Sequence, residues 1–172
     1  IGPAHRISSS IDGLYTMAAG ALDVDPARGK AFAERLGIAP DRAYGDWREM
    51  LAGERNRPDR IDLVTVATPN ATHHPITKAF LQAGINVLCE KPMANNVAEA
   101  SAMVAAAEQA GVTALLGNEF RWQPDRAIIA RALADGLIGE PRVLNLSSFL
   151  PLVASPDAKM PRWWFDPAAG GG

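Results

Sequence analysis

The sequence has few of the features that mark several large classes of protein. Cys89 is the only cysteine among 172 residues, which excludes an intrachain disulfide and favours a reducing compartment. No apolar run approaches the ~18 residues of a membrane span, and no signal peptide is visible. The net charge of −2 gives no broad attraction to nucleic acid or to an anionic membrane. We therefore expect a cytoplasmic protein that binds neither.

What the sequence does contain is a repeated alternation of short apolar strands and amphipathic helices. The predicted strands are YTMAAGAL (15–22), IDLVTVA (61–67), INVLC (85–89) and VTALLG (112–117). The predicted helices between them are PARGKAFAERLG, THHPITKAFLQAG and NNVAEASAMVAAAEQAG, each closed by a glycine. This alternation predicts βαβ units with right-handed crossovers in a parallel, doubly wound α/β sheet. The segment 61–67 is short, largely apolar and β-branched, which predicts a strand buried on both faces.

The regular alternation of strands and helices ends after Arg121. A helix, PDRAIIARALADG, precedes a half-exposed strand, PRVLNLSSFL (141–150), and a segment rich in Pro and Gly. We interpret residues 1–120 as a partial Rossmann domain that lacks its first strand. Residues 121–172 would be the beginning of an α+β substrate and oligomerisation domain. One helix and one strand are too few to bury a core.

The first helix begins where a dinucleotide-binding motif would end. In G-x-G-x-x-G the last glycine opens the helix, and Gly2 fits that position. Asp23 follows at the spacing of about 20 residues that places a carboxylate near the adenosine ribose. The other interpretation is a helix-terminal glycine and a surface aspartate.

Three predicted strands are followed by unusual polar residues, which should meet at one edge because the carboxyl ends of parallel strands lie together. The clusters are Thr68-Pro69-Asn70, Glu90-Lys91-Pro92 and Gly117-Asn118-Glu119-Phe120-Arg121. The ammonium of Lys91 could hydrogen-bond a substrate hydroxyl or act as a general acid, an effect worth ~10²–10⁴ in rate. Pro92 is a candidate for a cis peptide. A surface salt bridge at Lys91 and a helix-capping role for Asn70 are the alternatives.

Other reactive residue types have simpler interpretations. His73 and His74 lack partners at ligand spacing, so we predict no metal site. Cys89 is interpreted as buried filler, and the arginines at 55, 57 and 60 as part of a solvated linker. Two adjacent tryptophans, Trp163 and Trp164, could either line a sugar pocket or pack between domains.

Taken together, these motifs resemble the Gfo/Idh/MocA oxidoreductases, which include glucose–fructose oxidoreductase and inositol dehydrogenase. The resemblance rests on motifs in the family's order, namely Ile1-Gly2-x-x-His5, Asp23-x-Asp25-Pro26, ATPNATHHP, CEKPMA, Gly117-x-Glu119-x-Arg121-x-x-Pro124 and Trp163-x-x-Asp166-Pro167.

The resemblance implies an N-terminal Rossmann domain that binds NAD, with NADP as the alternative, and a C-terminal domain whose sheet forms a homo-oligomer. It implies that Lys91 is catalytic and that the substrate is a sugar or polyol. The cofactor-binding residues would be Gly2, Asp23, Thr68, Pro69, Asn70, His73, Glu90 and Lys91, and the substrate residues Arg121, Trp163 and Asp166. The family's first two loop glycines would precede residue 1, and its catalytic Asp and His would follow Gly172. The whole protein would then be about twice this length.

Three hypotheses about function follow. The first is an NAD-dependent dehydrogenase acting on a secondary alcohol, with an NADP-linked reductase as the runner-up. The second is a non-catalytic nucleotide-binding relative, which would lack a Gly-x-His beyond Gly172. The third is a structural module, which is disfavoured because a missing mid-sheet strand would leave edges unpaired.

Overall fold

A computed structural model describes residues 2–147, 149, 157 and 159–170. Within these residues the elements are α1 (Gly2–Ser10), α2 (Pro26–Arg35), α3 (Trp47–Glu54), β1 (Leu63–Val66), α4 (His73–Gln82), β2 (Asn86–Glu90), α5 (Val97–Ala110), β3 (Ala114–Gly117) and α6 (Pro124–Ala134). The chain divides into two compact units, Ile1–Gly117 and Asn118–Gly172. None of the described helices combines the length and the apolarity needed to cross a membrane.

The first unit is built on a parallel sheet in the order β1-β2-β3. Val64 pairs with Val87, and Glu90 pairs with Gly117 at the carboxyl end. Each strand is joined to the next by a helix, as parallel neighbours require. The predicted α/β class with a parallel Rossmann-type sheet is confirmed.

The core lies between one face of this sheet and the helices α4 and α5. Phe80 and Leu81 of α4 are fully buried, and they belong to one cluster with Val66 and Val87 of the sheet. Each such side chain contributes about 1.5–3 kcal/mol by its removal from water. This packing fixes α4, whose first residue is His73, against the strands.

The prediction that strand 61–67 is buried on both faces is wrong. Its burial alternates, with Val64 and Val66 buried and Thr65 exposed. Alternate side chains of a strand point to opposite faces, and α4 and α5 cover only the face of Val64 and Val66. Leu115 of β3 is also 58% exposed.

Local signals fixed the predicted helix ends. The Asp25 side chain accepts hydrogen bonds from the N–H groups of Ala27 and Arg28, and Pro26 occupies the first turn of α2. Gly111 ends α5 in the left-handed conformation, at φ +64°, which favours glycine.

The prediction of a strand at residues 15–22 is wrong. Within the described residues this segment makes a single parallel bridge, between Gly20 and Ala43. Gly20 donates to the Arg42 carbonyl at 3.1 Å and accepts from the Tyr44 N–H at 2.9 Å. A strand needs a continued ladder with a neighbour, and this bridge does not continue on either side of Gly20.

The second unit contains α6 and 3-10 helices at Glu119–Trp122, Arg162–Phe165 and Pro167–Ala169. The predicted strand at 141–150 is wrong for residues 141–147 and 149, which are not in a strand; residues 148 and 150 lie outside the described residues. Val143 and Leu144 are 82% and 87% exposed, so the described chain gives this segment no sheet to pack on. The domain boundary at residues 120 and 121 and the homo-oligomer stay predictions.

Candidate functional site

Two corners of the first unit carry most of the predicted site residues. The first corner, Thr68–Asn70, follows β1, and the second, Glu90–Pro92, ends β2. Because β1 and β2 are paired and parallel, both corners lie at the carboxyl edge of the sheet, with Gly117 beside Glu90 at the end of β3. Residues 118–121 belong to the second unit and are described separately.

His73 joins the two corners directly. Its Nδ1 lies 2.7 Å from the Pro92 carbonyl oxygen, and its Nε2 lies 2.8 Å from the Thr68 carbonyl oxygen. The residue is 1% exposed. Both ring nitrogens are therefore used within the protein, and these contacts indicate that His73 supports the corners rather than a ligand. Direct cofactor contact by His73 stays a prediction.

The surroundings of His73 raise its pKa above the ordinary value of 6.5. Burial is the largest influence and lowers the pKa, since it disfavours the charged ring. The nearby Cys89 side chain and the Pro92 and Thr68 carbonyls act in the opposite direction and outweigh burial. The site thus favours the protonated ring.

Glu90 is a buried carboxylate held on several sides. One oxygen, Oε1, lies 2.8 Å from His5 Nε2, and the other accepts the Lys91 N–H at 3.2 Å. A Cβ added to Gly117 would lie 3.0 Å from Oε1, so the glycine leaves room for the carboxylate. The contact with His5 spans 85 residues. The Gly-x-x-His spacing, which places His5 one turn after Gly2, was the signal in the sequence.

Lys91 is exposed at the same edge. Within the described part of the chain its ammonium forms no ion pair, so the salt-bridge interpretation gains no support. The Lys91–Pro92 peptide is cis, as predicted. An accessible ammonium can donate a hydrogen bond to a ligand hydroxyl.

The Thr72 side chain closes the first corner. The Thr72 hydroxyl lies 2.7 Å from the Thr68 hydroxyl and donates to the Pro69 carbonyl at 2.6 Å. Asn70 is the first residue of a 3-10 helix, Asn70–Thr72, while Thr72 is the N-cap of α4. The N-cap position of α4 thus belongs to Thr72, and the roles proposed for Asn70 stay predictions.

Asp23 lies in the loop before α2 with its carboxylate partly exposed. Its Oδ1 accepts the Asp25 N–H at 2.9 Å and the Arg28 guanidinium at 2.9 Å. These two contacts, the Asp25 N–H first, lower the pKa of Asp23. Among the described contacts none involves Oδ2, which leaves one oxygen for a ribose hydroxyl.

The predicted substrate residues lie in the second unit. Arg121 places its guanidinium 5.7 Å from the centre of the Trp122 ring. Asp166 caps a 3-10 helix by accepting the Ala168 N–H at 3.0 Å. The side chain of Trp163 lies outside the described residues. Their part in substrate binding stays a prediction.

Cys89 is buried, as predicted, and its thiol donates to the Glu90 carbonyl at 3.4 Å. A search of the described residues finds no group of three or more His, Cys, Asp and Glu side chains placed to hold a metal. Arg55 and Arg60 are exposed, in line with the predicted solvated linker, and Arg57 pairs with Asp59 and Asp41 at 3.0 Å each.

Comparison with known proteins gives the family. Residues 4–118 match the profile of the Gfo/Idh/MocA group, described as an oxidoreductase family with an NAD-binding Rossmann fold. The chain belongs to this family. An inositol dehydrogenase homolog from Azotobacter vinelandii, solved in complex with NAD⁺, superposes with a TM-score of 0.84 at 35% identity, over 99% of this chain and 45% of that one.

Two curated relatives show the same likeness. An uncharacterized oxidoreductase, YfiI, from Bacillus subtilis is 35% identical over 99% of this chain and 45% of its own length. A D-apiose dehydrogenase from Paraburkholderia graminis is 40% identical over 76% of this chain and 32% of its own. The chain thus spans less than half the length of these relatives.

The residues present fit a dinucleotide. The helix α1 begins at Gly2, and its first N–H groups have no partner within the helix. Asp23 keeps one carboxylate oxygen for a ribose hydroxyl, and Lys91 offers an exposed ammonium at the carboxyl edge of the sheet. These are the positions at which a Rossmann fold binds such a ligand.

Proposed function

We propose that the protein is an NAD(P)-dependent oxidoreductase that transfers a hydride between nicotinamide and a secondary alcohol of a sugar, an inositol or a related polyol. The observation that carries the proposal is the exposed Lys91 that directly follows the buried Glu90, at the carboxyl edge of the sheet, where a Rossmann fold binds its nucleotide. The solved relative from Azotobacter vinelandii that holds NADH and myo-inositol is 38% identical, with a TM-score of 0.78 over 81% of this chain and 37% of that one.

The cofactor, when bound, supplies the hydride acceptor or donor. In this proposal Lys91 hydrogen-bonds the reacting hydroxyl, and its positive charge favours loss of the hydroxyl proton. Glu90 is held by His5 on one side, so its carboxylate has a fixed position from which to orient Lys91 or contact a ribose. Asn70 contacts the nicotinamide ribose, and Asp23 binds the adenosine ribose.

A second candidate is an NADP-linked reductase. It is favoured by Arg28, whose guanidinium lies 2.9 Å from Asp23 and is 67% exposed. An arginine at this position can accommodate a 2′-phosphate. Binding affinity for NADP relative to NAD separates the two candidates, because the Asp23 carboxylate repels a 2′-phosphate.

The test is Lys91→Ala in the full-length protein, assayed with NAD and a panel of sugars and inositols. Turnover should fall by about 10²–10⁴, the usual size of a general acid–base contribution, while NADH affinity, measured by cofactor fluorescence, is largely kept. Lys30→Ala, which removes an exposed lysine of α2, is the control and should leave both unchanged. Unchanged turnover in Lys91→Ala would remove Lys91 from its role.

A further inference from the structure

The two contacts of His73 require more hydrogen atoms than a neutral ring has. A neutral imidazole carries one N–H, and its other nitrogen can only accept. Both partners of His73 are backbone carbonyl oxygens, which can only accept, and they lie 2.7 and 2.8 Å from the two nitrogens. With a neutral ring, one of these contacts would oppose two lone pairs at hydrogen-bond distance. Only the ring with both protons satisfies the two carbonyls.

We propose that His73, carrying both ring protons, is a positioning residue that fixes the Lys91–Pro92 corner to the Thr68–Asn70 corner. The part of this inference that concerns turnover rests on the proposed function. Both ring nitrogens of His73 face backbone carbonyls, so in this proposal the residue acts through the backbone of its neighbours. Pro92 follows the proposed catalytic lysine directly, and Thr68 lies two residues before Asn70. A shift of either carbonyl therefore moves a residue of the proposed site.

Burial protects the two ring contacts of His73 from competition by water. His73 is 1% exposed, so water does not replace the carbonyls. It begins α4, whose later residues Phe80 and Leu81 are anchored in the core. Hydrogen bonds from an ionised donor are roughly twice as strong as neutral ones. A cation on a buried helix start is thus a firm link between two loops.

Two influences disfavour the protonated form of His73, and the hydrogen bonds to the two carbonyls act against both. Burial disfavours the charged ring, and the N-terminal end of α4 disfavours a cation through the helix dipole. The titratable group beside the ring is Cys89 of β2, whose side chain favours the charged form. The net result is a pKa of His73 above its ordinary value.

The protonation state can be measured without any activity. In the full-length protein labelled with 15N-histidine, one ring should show two protected N–H groups at neutral pH, and this signal should vanish in His73→Gln. The stability advantage of the wild type over His73→Gln should be complete below the ordinary pKa of about 6.5. It should shrink as the pH rises through the raised pKa, because the folded state then loses the proton.

The positioning role is tested by kinetics. His73→Gln retains a single amide in place of two ring donors, and we expect turnover to fall about 10- to 100-fold, the scale of a small misplacement of reacting groups. His73→Asn offers a donor at a different reach and serves if His73→Gln does not fold. His74→Gln is the matched control, since His74 is the next residue and its Nε2 has no hydrogen-bond partner among the described residues. It should keep wild-type turnover.

Each result decides the inference. Two ring N–H groups together with a selective loss of turnover in the His73 variants support it. A ring with one proton at neutral pH overturns it. So do His73 variants that fold and turn over like His74→Gln. If the wild type neither binds NADH nor turns over, the proposed function fails, while a doubly protonated ring and its pH-dependent stability would still establish the link between the corners.

Discussion

Glu54 offers the sharpest test of how the first unit is held together. This residue of α3 is fully buried, and its carboxylate accepts hydrogen bonds from Arg42 Nε at 3.0 Å, Arg42 Nη2 at 2.5 Å, the Tyr44 hydroxyl at 2.9 Å and the Ile61 N–H at 3.1 Å. Glu54→Gln keeps the volume but removes the charge and turns an amide N–H₂ toward groups that also donate. Removing one member of a buried ion pair costs about 3–5 kcal/mol, and we expect a loss of that size.

The assay is urea unfolding of the full-length protein. The midpoint should fall while the slope stays unchanged, because the surface exposed on unfolding is the same. Asp41→Asn is the matched control, since Asp41 pairs with Arg57 at 3.0 Å but is 63% exposed. An exposed pair contributes about 0–1 kcal/mol, so this variant should remain close to the wild type.

The pH dependence gives an independent check. Burial raises the pKa of Glu54, but hydrogen bonds from Arg42, Tyr44 and the Ile61 N–H outweigh it, and the net pKa lies below the usual value. The stabilisation is therefore fully present above the unfolded pKa of about 4.3 and is lost as the pH falls through the folded pKa. The difference between wild type and Glu54→Gln should shrink below about pH 4.3. Equal losses in Glu54→Gln and Asp41→Asn would refute the reasoning.

Two further predictions concern the site. Gly117→Ala should lower the free energy of unfolding by about 1–3 kcal/mol and weaken NADH binding, because the new Cβ would lie 3.0 Å from Glu90 Oε1. In a Glu90→Asp background the same substitution should have a smaller effect, which would confirm the clash. An equal effect would contradict it. Asp23→Ser should raise the affinity for NADP relative to NAD by about tenfold or more, since it removes a repelling carboxylate and releases Arg28 to pair with a phosphate; an unchanged ratio of dissociation constants would mean that Asp23 does not face the ribose.

Much of the first unit could be predicted from local signals. The apolar, β-branched run at β1 and the glycine-closed helices α4 and α5 predicted a parallel α/β sheet, and the structure has it. Strand pairing was harder to predict, because it depends on a neighbour that local sequence does not specify. The segments 15–22 and 141–150 have strand-like composition, yet the described residues give them no continued ladder.

The site shows the same division between local and distant information. The sequence predicted Lys91 because Glu90-Lys91-Pro92 is a contiguous motif, and Asp23 because it follows Gly2 at a characteristic spacing. The contact of His5 with Glu90 spans 85 residues, and the buried pair of Arg42 with Glu54 joins two different elements. The sequence marked His5 through the Gly-x-x-His spacing but did not indicate either partner. The role of His73 depends on which two carbonyls face its ring, and this geometry exists only after the chain has folded.

The helix α4 connects the hydrophobic core to the two corners of the candidate site. Its first residue, His73, contacts the Pro92 carbonyl next to Lys91, and near its end Phe80 and Leu81 pack in the core. A substitution that loosens the packing of Phe80 or Leu81 would let the whole helix shift. The shift would then reach the two corners at the carboxyl edge of the sheet. In this architecture, core substitutions chosen to change thermal stability would also shift the Thr68–Asn70 and Glu90–Pro92 corners.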